Sequence, residues 1–199
     1  MNFKLPVVVL LTVFIHSSLL GQSETYFLQT KVEGEGQSET YFVKKAAFST
    51  DKYDEFSPVK YKNGIVFCSN RATTKILNYS TEDNKGLIKI TFFDTLAENQ
   101  SQSIKFFSKK LNSKFNDGPV TFNSKGDTIY YSRNILVDGK MSELSTVRNK
   151  LGIFYAVLDG NEWTKIRELR INNEWYNVTT PWLSPNGERL YFASDKPGG

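Results

Sequence analysis

Short apolar and aromatic runs, separated by turn-forming residues, recur along this chain and predict β-strands. The clearest case lies near the C-terminal end, where residues 180–183 and 190–193 flank a turn at 184–187. Pro185 suits the second position of a type I turn, and Gly187 accepts the left-handed conformation that follows. The segment therefore predicts a tight β-hairpin.

The same hairpin pattern occurs twice upstream, which indicates a repeat protein. In each copy a proline precedes a first strand, a turn that ends in glycine, and an apolar second strand. The three prolines lie 61 and then 62 residues apart. The positions that define the repeat are Pro58, Gly64, Pro119, Gly126, Pro181, Ser184, Pro185, Gly187 and Asp195.

Three repeat units follow one another, at about residues 51–111, 112–172 and 173–199, and the third contains only its first hairpin. Each complete unit has two further strand-like runs after its hairpin, so that four short strands are predicted per unit. These later runs lie at residues 88–94, 103–107, 153–158 and 163–169. The polar segment 70–85 is predicted to be a loop, and the long polar segment 134–152 is predicted to be an exposed, mobile loop.

Four short strands per tandem unit are typical of the blades of a β-propeller. One four-stranded blade cannot bury both of its faces, and neighbours stacked around an axis cover them. We therefore predict an all-β fold, a partial β-propeller of four-stranded antiparallel blades with about two and a half blades present. Because a ring needs roughly four to eight blades, we expect the sequence to be the front part of a longer protein, with an open arc as the alternative.

Residues 1–21 are typical of a secretory signal peptide. Lys4 precedes an apolar run at 5–15, and Gly21 is a small residue at the expected cleavage site. An uncleaved anchor is the weaker interpretation, because the apolar run is short for a bilayer. The next segment, 22–50, is predicted to form an N-terminal β-hairpin.

That hairpin prediction depends on a local duplication. Residues 21–27 and 36–42 have the same sequence, GQSETYF. Each copy begins a strand-like run, and a glycine-containing turn at 33–36 separates them. The hairpin either precedes the first blade or completes the last one.

Composition removes several classes of catalytic site. The only histidine, His16, lies in the predicted signal peptide, so the mature chain would lack the histidine of Ser-His-Asp triads and of many metal sites. Cys68 is the only cysteine, which leaves no intrachain disulfide and predicts a small buried residue. We predict no catalytic residue, no cofactor and no metal, and the net charge of +4 is interspersed as on a solvated surface.

Carboxylates leave glycoside hydrolysis open as an alternative. The acidic residues at 51, 54 and 55 cluster before the first hairpin, and others recur near strand ends. The favoured interpretation is that these side chains cap turns. The residues in question are Asp51, Asp54, Glu55, Asp94, Asp117, Asp127, Asp159 and Asp195.

Aromatic residues leave a second alternative, a sugar-stacking surface. Trp163, Trp175, Trp182 and Tyr176 would form it. Packing within or between blades is the favoured interpretation of these side chains.

The segment 181–195 resembles the WD40-like (TolB-like) propeller repeat, whose pattern is a proline, an aromatic residue, Ser-Pro-Asp-Gly and an apolar strand that ends in Ser-Asp. Segments 116–122 and 54–59 are similar to versions found in bacterial OmpA-family envelope proteins. The first two units depart from the pattern at 62–64 and 123–126. In that family an exported propeller precedes an OmpA-like peptidoglycan-binding domain, which is not recognisable in these residues.

The resemblance implies a non-catalytic propeller scaffold, not an enzyme, exported to the periplasm and associated with the outer membrane. It implies that blade edges and the two polar loops bind other cell-envelope proteins. Some members of the family belong to gliding and type IX secretion machinery. Peptidoglycan would be bound only through the missing domain, membrane association would be indirect, and no nucleic acid is expected. The alternative is a glycan-binding or sialidase-like glycoside hydrolase propeller, although the sialidase Ser-x-Asp-x-Gly-x-Thr-Trp box is not matched.

Overall fold

The computed structural model contains β-strands and no helix in the residues that it describes. The chain divides into two compact parts, Met1–Ser49 and Thr50–Gly199. The all-β fold class predicted from the sequence is therefore confirmed for the described part of the chain. The described residues are 11–14, 25–30, 40–71, 86–97, 104–136 and 149–198.

The N-terminal part contains a three-stranded antiparallel sheet in the order β1-β2-β3. Its strands are β1 (Leu11–Phe14), β2 (Thr25–Thr30) and β3 (Thr40–Lys44). β2 and β3 begin within the two duplicated segments and pair with each other. β1 lies inside the predicted signal peptide and pairs with β2; the signal peptide itself stays a prediction.

The part from Thr50 to Gly199 contains two four-stranded antiparallel sheets and one two-stranded sheet. Strands follow one another in chain order within each sheet, as predicted for consecutive short strands. The first sheet consists of β4 (Glu55–Tyr61), β5 (Gly64–Ser69), β6 (Lys89–Asp94) and β7 (Ile104–Phe106). The second sheet consists of β8 (Asp117–Phe122), β9 (Thr128–Leu136), β10 (Asn149–Asp159) and β11 (Glu162–Glu168). The third sheet consists of β12 (Val178–Leu183) and β13 (Leu190–Ser194).

The first strand of each of these three sheets has a β-bulge at the repeat proline. The residue before that proline has a positive φ in every case: 50° at Ser57, 101° at Gly118 and 54° at Thr180. Positive φ is uncommon for residues other than glycine and costs most for a β-branched side chain. The three proline segments therefore share a bulge and a positive φ before the proline, although only the Gly118–Pro119 peptide bond is cis.

The turns of the second and third hairpins have the geometry that the sequence predicted. The N–H of Gly126 donates to the carbonyl of Asn123 (2.9 Å), and that of Gly187 donates to the carbonyl of Ser184 (2.8 Å). Both glycines have a positive φ, 69° and 74°. The first hairpin is tighter, because Tyr61 already pairs with Gly64.

The loop prediction for the segment 134–152 is wrong at its ends. β9 continues to Leu136 and β10 begins at Asn149, so strand structure occupies both ends of the segment 134–152. Residues 137–148 lie outside the described residues. In the other segment, Asn70 is buried and hydrogen-bonded to Asp54, and residues 72–85 lie outside the described ones.

The main hydrophobic core lies between the first and second sheets, where β8 contacts β4, β5 and β6. Aromatic rings fill its centre: Tyr61 lies 4.5 Å from Phe122 and Phe107 lies 5.7 Å from Trp163, measured between ring centroids. Each large apolar side chain buried in this way contributes roughly 1.5–3 kcal/mol. The buried members of the cluster are Tyr61, Val66, Ile90, Phe92, Leu111, Val120, Ile129, Tyr131, Ala156 and Trp163.

The third sheet repeats this relationship, because β12 contacts β8, β9 and β10 of the second sheet. The N–H of Thr180 donates to Ser132 Oγ (2.9 Å), and the N–H of Leu183 donates to Thr121 Oγ1 (3.2 Å). The first strand of each later sheet thus lies against the sheet before it.

Gly64 allows β5 to approach β6 closely, and we predict that Gly64→Ala destabilises the protein. A Cβ at this position would lie 2.2 Å from the Phe93 carbonyl oxygen and 2.4 Å from the Phe92 ring. The expected loss is about 2–4 kcal/mol of unfolding free energy, measured by urea denaturation. Gly160→Ala is the control for backbone strain alone: no atom lies within 4 Å of its Cβ position, and its φ of 59° should cost alanine only about 1–2 kcal/mol. A loss at Gly64 no larger than the loss at Gly160 would contradict the steric explanation.

Candidate functional site

The connections between consecutive sheets contain a repeated asparagine that binds backbone groups of the preceding sheet. Asn112 accepts a hydrogen bond from the Ile90 N–H (2.9 Å) and donates one to the Ile90 carbonyl (3.1 Å). Asn172 makes the same two bonds with Ile153, at 2.8 and 2.9 Å. Each amide therefore acts like one residue of an additional edge strand beside the third strand of its sheet.

A second asparagine in each connection binds the backbone N–H two residues before the residue that the first asparagine binds. Asn116 accepts from the Ile88 N–H and Asn177 from the Leu151 N–H, both at 2.9 Å. Sequence reasoning missed these four asparagines. The signal was present as an Asn pair, spaced by four and five residues, shortly before the second and third repeat prolines.

A buried carboxylate, Asp117, forms the centre of a polar cluster at the start of the second sheet. It is fully buried and accepts from Arg133 Nε (2.7 Å), from Lys89 Nζ (3.3 Å), and from the N–H and Oγ of Ser113 (2.6 and 3.0 Å). Arg133 also donates to the Leu111 carbonyl (2.8 Å). With both oxygens occupied by cations and donors, Asp117 is fixed as a structural anion.

The first sheet has a similar cluster with the same spacing of 16 residues between acid and arginine. Arg71 Nη2 donates to Glu55 Oε1 at 2.8 Å. The N–H of Thr50 donates to Glu55 Oε2 at 3.2 Å, as the N–H of Ser113 donates to Asp117. The start of each complete sheet is therefore stabilised by the same three kinds of residue: an acid, an arginine and a residue with a hydroxyl group.

Four further aspartates bind asparagine side chains near the ends of strands. These aspartate–asparagine pairs are Asp54–Asn70 (2.7 Å), Asp94–Asn63 (2.8 Å), Asp127–Asn123 (2.6 Å) and Asp195–Asn177 (2.6 Å). A hydrogen bond from the Asn123 side chain lowers the pKa of Asp127, and one from the Asn177 backbone N–H lowers that of Asp195. These contacts support the turn-capping interpretation. In the described ranges no group of three or more His, Cys, Asp or Glu side chains is placed to hold a metal ion.

Cys68 is buried, as its place in a strand predicted. Desolvation, with a smaller contribution from the charge of Asp117, raises the pKa of its thiol to about 12. Tyr131 is also fully buried, and burial raises the pKa of its phenol to about 12. Neither group is ionised at neutral pH, so neither offers a nucleophile.

The tryptophans differ in their environments, and among the described residues only Trp163 is packed as predicted. Trp163 is 4% exposed and belongs to the core, whereas Trp175 is 67% and Trp182 54% exposed. Trp182 alternates along β12 with the buried Pro181, so its ring points away from the second sheet. It lies 5.5 Å from the ring of Tyr191, centroid to centroid, on the outer face of the third sheet.

The repeat-defining residues occupy the bulges and turns described above. Pro58 and Pro185 are exposed, whereas Pro181 and Gly64 are buried. Ser184 closes its turn by accepting a hydrogen bond from the Arg189 N–H at its Oγ (2.9 Å). These residues therefore shape the backbone and do not converge on one pocket.

The first hairpin carries an open depression of about 350 Å³. Lys60, Lys62 and Thr95 are among the residues that line it, and no carboxylate does. It therefore lacks the pair of acids that glycoside hydrolysis requires.

Comparison of the chain with protein-family models, curated proteins and solved structures found no match to any of them. The resemblance to WD40-like repeats of OmpA-family proteins accordingly stays a prediction. The described ranges contain no helix long and apolar enough to cross a bilayer.

Replacing Asp117 should destabilise the second sheet strongly. Asp117→Asn leaves the Lys89 and Arg133 side chains, 15% and 14% exposed, without their anion. We expect a loss of about 3–5 kcal/mol in unfolding free energy, measured by urea denaturation. Asp159→Asn, at an exposed turn, is the matched control and should change stability by less than about 0.5 kcal/mol. A small effect at Asp117 would show that the cluster is not needed.

Cys68 should resist alkylation while the protein is folded. A thiol pKa raised from 9.0 to about 12 lowers the thiolate fraction at pH 8 roughly a thousandfold, and only the thiolate reacts. Labelling with iodoacetamide, followed by mass spectrometry, should therefore be at least about a thousandfold slower than in urea. Ser124→Cys, in an exposed turn, should label rapidly without urea. Rapid labelling of native Cys68 would contradict its burial.

Alkaline pH should also favour the unfolded chain, because its Cys68 thiol ionises near pH 9, whereas the pKa of the folded thiol is raised to about 12. The contribution of Cys68 to stability is therefore complete below about pH 9 and is lost as pH rises towards 12.

Proposed function

We propose that this chain is part of a non-catalytic β-propeller that serves as a scaffold for protein interactions in an exported cell-envelope protein of the OmpA-family type. The observation that carries the proposal is the repeated packing of one sheet against the next, through equivalent bulges and asparagine bonds. A stack of sheets joined in this way supplies a rigid support for surface loops. A closed ring requires roughly four to eight sheets, more than the described residues supply.

The non-catalytic role is supported by the contacts and burial of the ionisable side chains. Asp117 and Glu55 bind arginines, and the four paired turn aspartates bind asparagines. The thiol of Cys68 is buried and protonated. A general acid–base pair needs carboxyl groups that face a substrate cavity, and the depression at the first hairpin has none.

The proposed location follows from residues 1–21, whose pattern favours export. In a periplasmic scaffold, the hairpin ends and the polar connections between strands would bind other envelope proteins. Peptidoglycan would be reached through a separate domain, and association with the outer membrane would be indirect.

Affinity purification after in vivo crosslinking tests this function. The tagged protein, expressed with residues 1–21 in a Gram-negative host, should appear in the periplasmic fraction and crosslink to a small set of envelope proteins. Gly64→Ala, which disturbs the first sheet, is the control and should lose those partners. A periplasmic protein without specific partners, or a protein that stays in the cytoplasm, would contradict the proposal.

The exposed ring pair Trp182–Tyr191 favours one alternative, a glycan-binding propeller. Neighbouring exposed aromatic rings suit the apolar faces of sugar rings. Binding of an envelope glycan that is lost in Trp182→Ala, and kept in Trp175→Ala, would support this alternative; absence of binding to any glycan tested would remove it.

A further inference from the structure

The turn of the third hairpin contains an asparagine followed directly by a glycine, Asn186-Gly187, and the sequence has one other such pair, Asn63-Gly64. The backbone nitrogen of the second residue can attack the asparagine side chain, because the reaction is intramolecular and closes a five-membered ring. Glycine leaves that nitrogen unhindered, since it has no side chain. Both pairs therefore have a sequence that favours loss of the side-chain amide, and their surroundings decide which one reacts.

The turn at Asn186 is exposed for a reason that does not depend on neighbouring sheets. Residues 185–188 are exposed, at the end of a hairpin and not on the face of a sheet. The equivalent turn of the second hairpin keeps Ser124 and Lys125 exposed, although its sheet is contacted by the first sheet and by the third. No atom lies within 4 Å of a Cβ position built on Gly187. The reacting groups at Asn186 therefore have room to move.

The Asn186 side chain lies in a small hydrogen-bond network that polarises its carbonyl group. Asn186 Oδ1 accepts from the Ser184 hydroxyl (2.7 Å) and from the Glu188 N–H (3.3 Å). Ser184 Oγ in turn accepts from the Arg189 N–H (2.9 Å), which fixes the hydroxyl beside the amide. When a nucleophile attacks Cγ, negative charge develops on Oδ1, where these two donors already point. The turn therefore stabilises the tetrahedral intermediate of an attack on its own asparagine.

Asn63 is held far more firmly. Its Nδ2 donates to Asp94 Oδ1 at 2.8 Å, and its backbone carbonyl accepts from the Thr95 N–H at 3.1 Å. Gly64 is buried, and a Cβ built on it would lie 2.2 Å from the Phe93 carbonyl oxygen. The rotation that brings the Asn63 side chain over the Gly64 nitrogen would have to separate β5 from β6. The sheet therefore protects this pair.

At Asn186 the backbone bond of an exposed turn has to open before the reaction. The Gly187 N–H donates to the Ser184 carbonyl at 2.8 Å, and this bond must break to free the nitrogen. The opening of one exposed turn costs far less free energy than the separation of paired strands in a core. The difference in opening free energy therefore favours reaction at Asn186 over reaction at Asn63.

We propose that Asn186 is a site of spontaneous deamidation through a cyclic imide. The Gly187 nitrogen gives its proton to water and bonds to Asn186 Cγ. The bond from Cγ to Nδ2 breaks, and Nδ2 leaves as ammonia with a proton taken from water. Water then adds to one of the two imide carbonyls and opens the ring: opening at Cγ gives aspartate, and opening at the backbone carbonyl gives isoaspartate. No oxidant or reductant takes part.

Either product changes the end of the third hairpin. In the unmodified turn, Glu188 Oε2 accepts from Asn186 Nδ2 at 2.8 Å. With aspartate at this position, two carboxylates lie side by side and repel each other. Isoaspartate instead adds a methylene group to the backbone between β12 and β13. Where the hairpin ends bind envelope partners, as proposed above, the reaction alters that contact; this consequence rests on the proposed function, whereas the chemistry does not.

Mass spectrometry of the full chain tests the site. After incubation at mildly alkaline pH, fragment ions should place a gain of one mass unit at residue 186, at a rate at least about tenfold higher than at residue 63. In urea, where both turns are open, the two rates should lie within about threefold of each other. A rate at 63 that equals the rate at 186 in the folded chain, or no change at 186 while the unfolded chain reacts, would overturn the proposal. The measurement needs no partner, so its outcome is independent of the scaffold function.

The products test the cyclic intermediate. Isoaspartate requires opening of the imide at the backbone carbonyl, so fragmentation should find it at 186 together with aspartate. Asn186→Gln keeps a side-chain amide but would need a six-membered ring, and should stay unmodified over the same time. Aspartate without isoaspartate, or equal reaction of the Gln variant, would contradict the proposed route.

Ser184→Ala tests the hydrogen-bond network, and Ser184→Thr is the matched control that keeps the hydroxyl group. Loss of the donor to Asn186 Oδ1 should slow deamidation about tenfold, whereas the Thr variant should react within about threefold of the original rate. A Ser184→Ala variant that reacts as fast as the original would overturn the role assigned to Ser184.

Discussion

A β-sheet with apolar side chains on both faces is stable only when another layer covers each face. The first sheet has such faces, because Val66 and Phe67 are neighbours on β5, point to opposite sides and are both buried. β8 of the second sheet covers one side. The asparagine bonds of the connections follow from this requirement, since they hold the incoming strand in the position where it covers the preceding sheet.

The fold could be predicted from sequence wherever local chemistry determines it. Proline and glycine set the bulge and the turn of each hairpin, and the apolar runs gave nearly every strand in the part from Thr50 to Gly199. The ends of the segment 134–152 were assigned wrongly. Residues 134 and 149–150 are polar, yet they extend β9 and β10, which pair with each other at these positions. Composition alone does not reveal such pairing.

The polar clusters and the exposed rings could be predicted less well, because they depend on contacts between sheets. Asp117 resembled the turn aspartates in sequence, yet Lys89 reaches it from the preceding sheet. Trp163 and Trp182 both lie in predicted strands, but only the side chain of Trp163 is covered by a neighbouring sheet. The exposure of a side chain depends on which sheets lie beside it, and a single sequence does not show how the sheets are arranged.

The paired asparagines also give the chain a direction of assembly. Asn112 and Asn172 bind the third strand of the sheet that has just been completed, before the chain enters the next one. A later sheet therefore has its starting point only after an earlier one exists. During synthesis on the ribosome, this dependence orders the sheets from the amino end onwards.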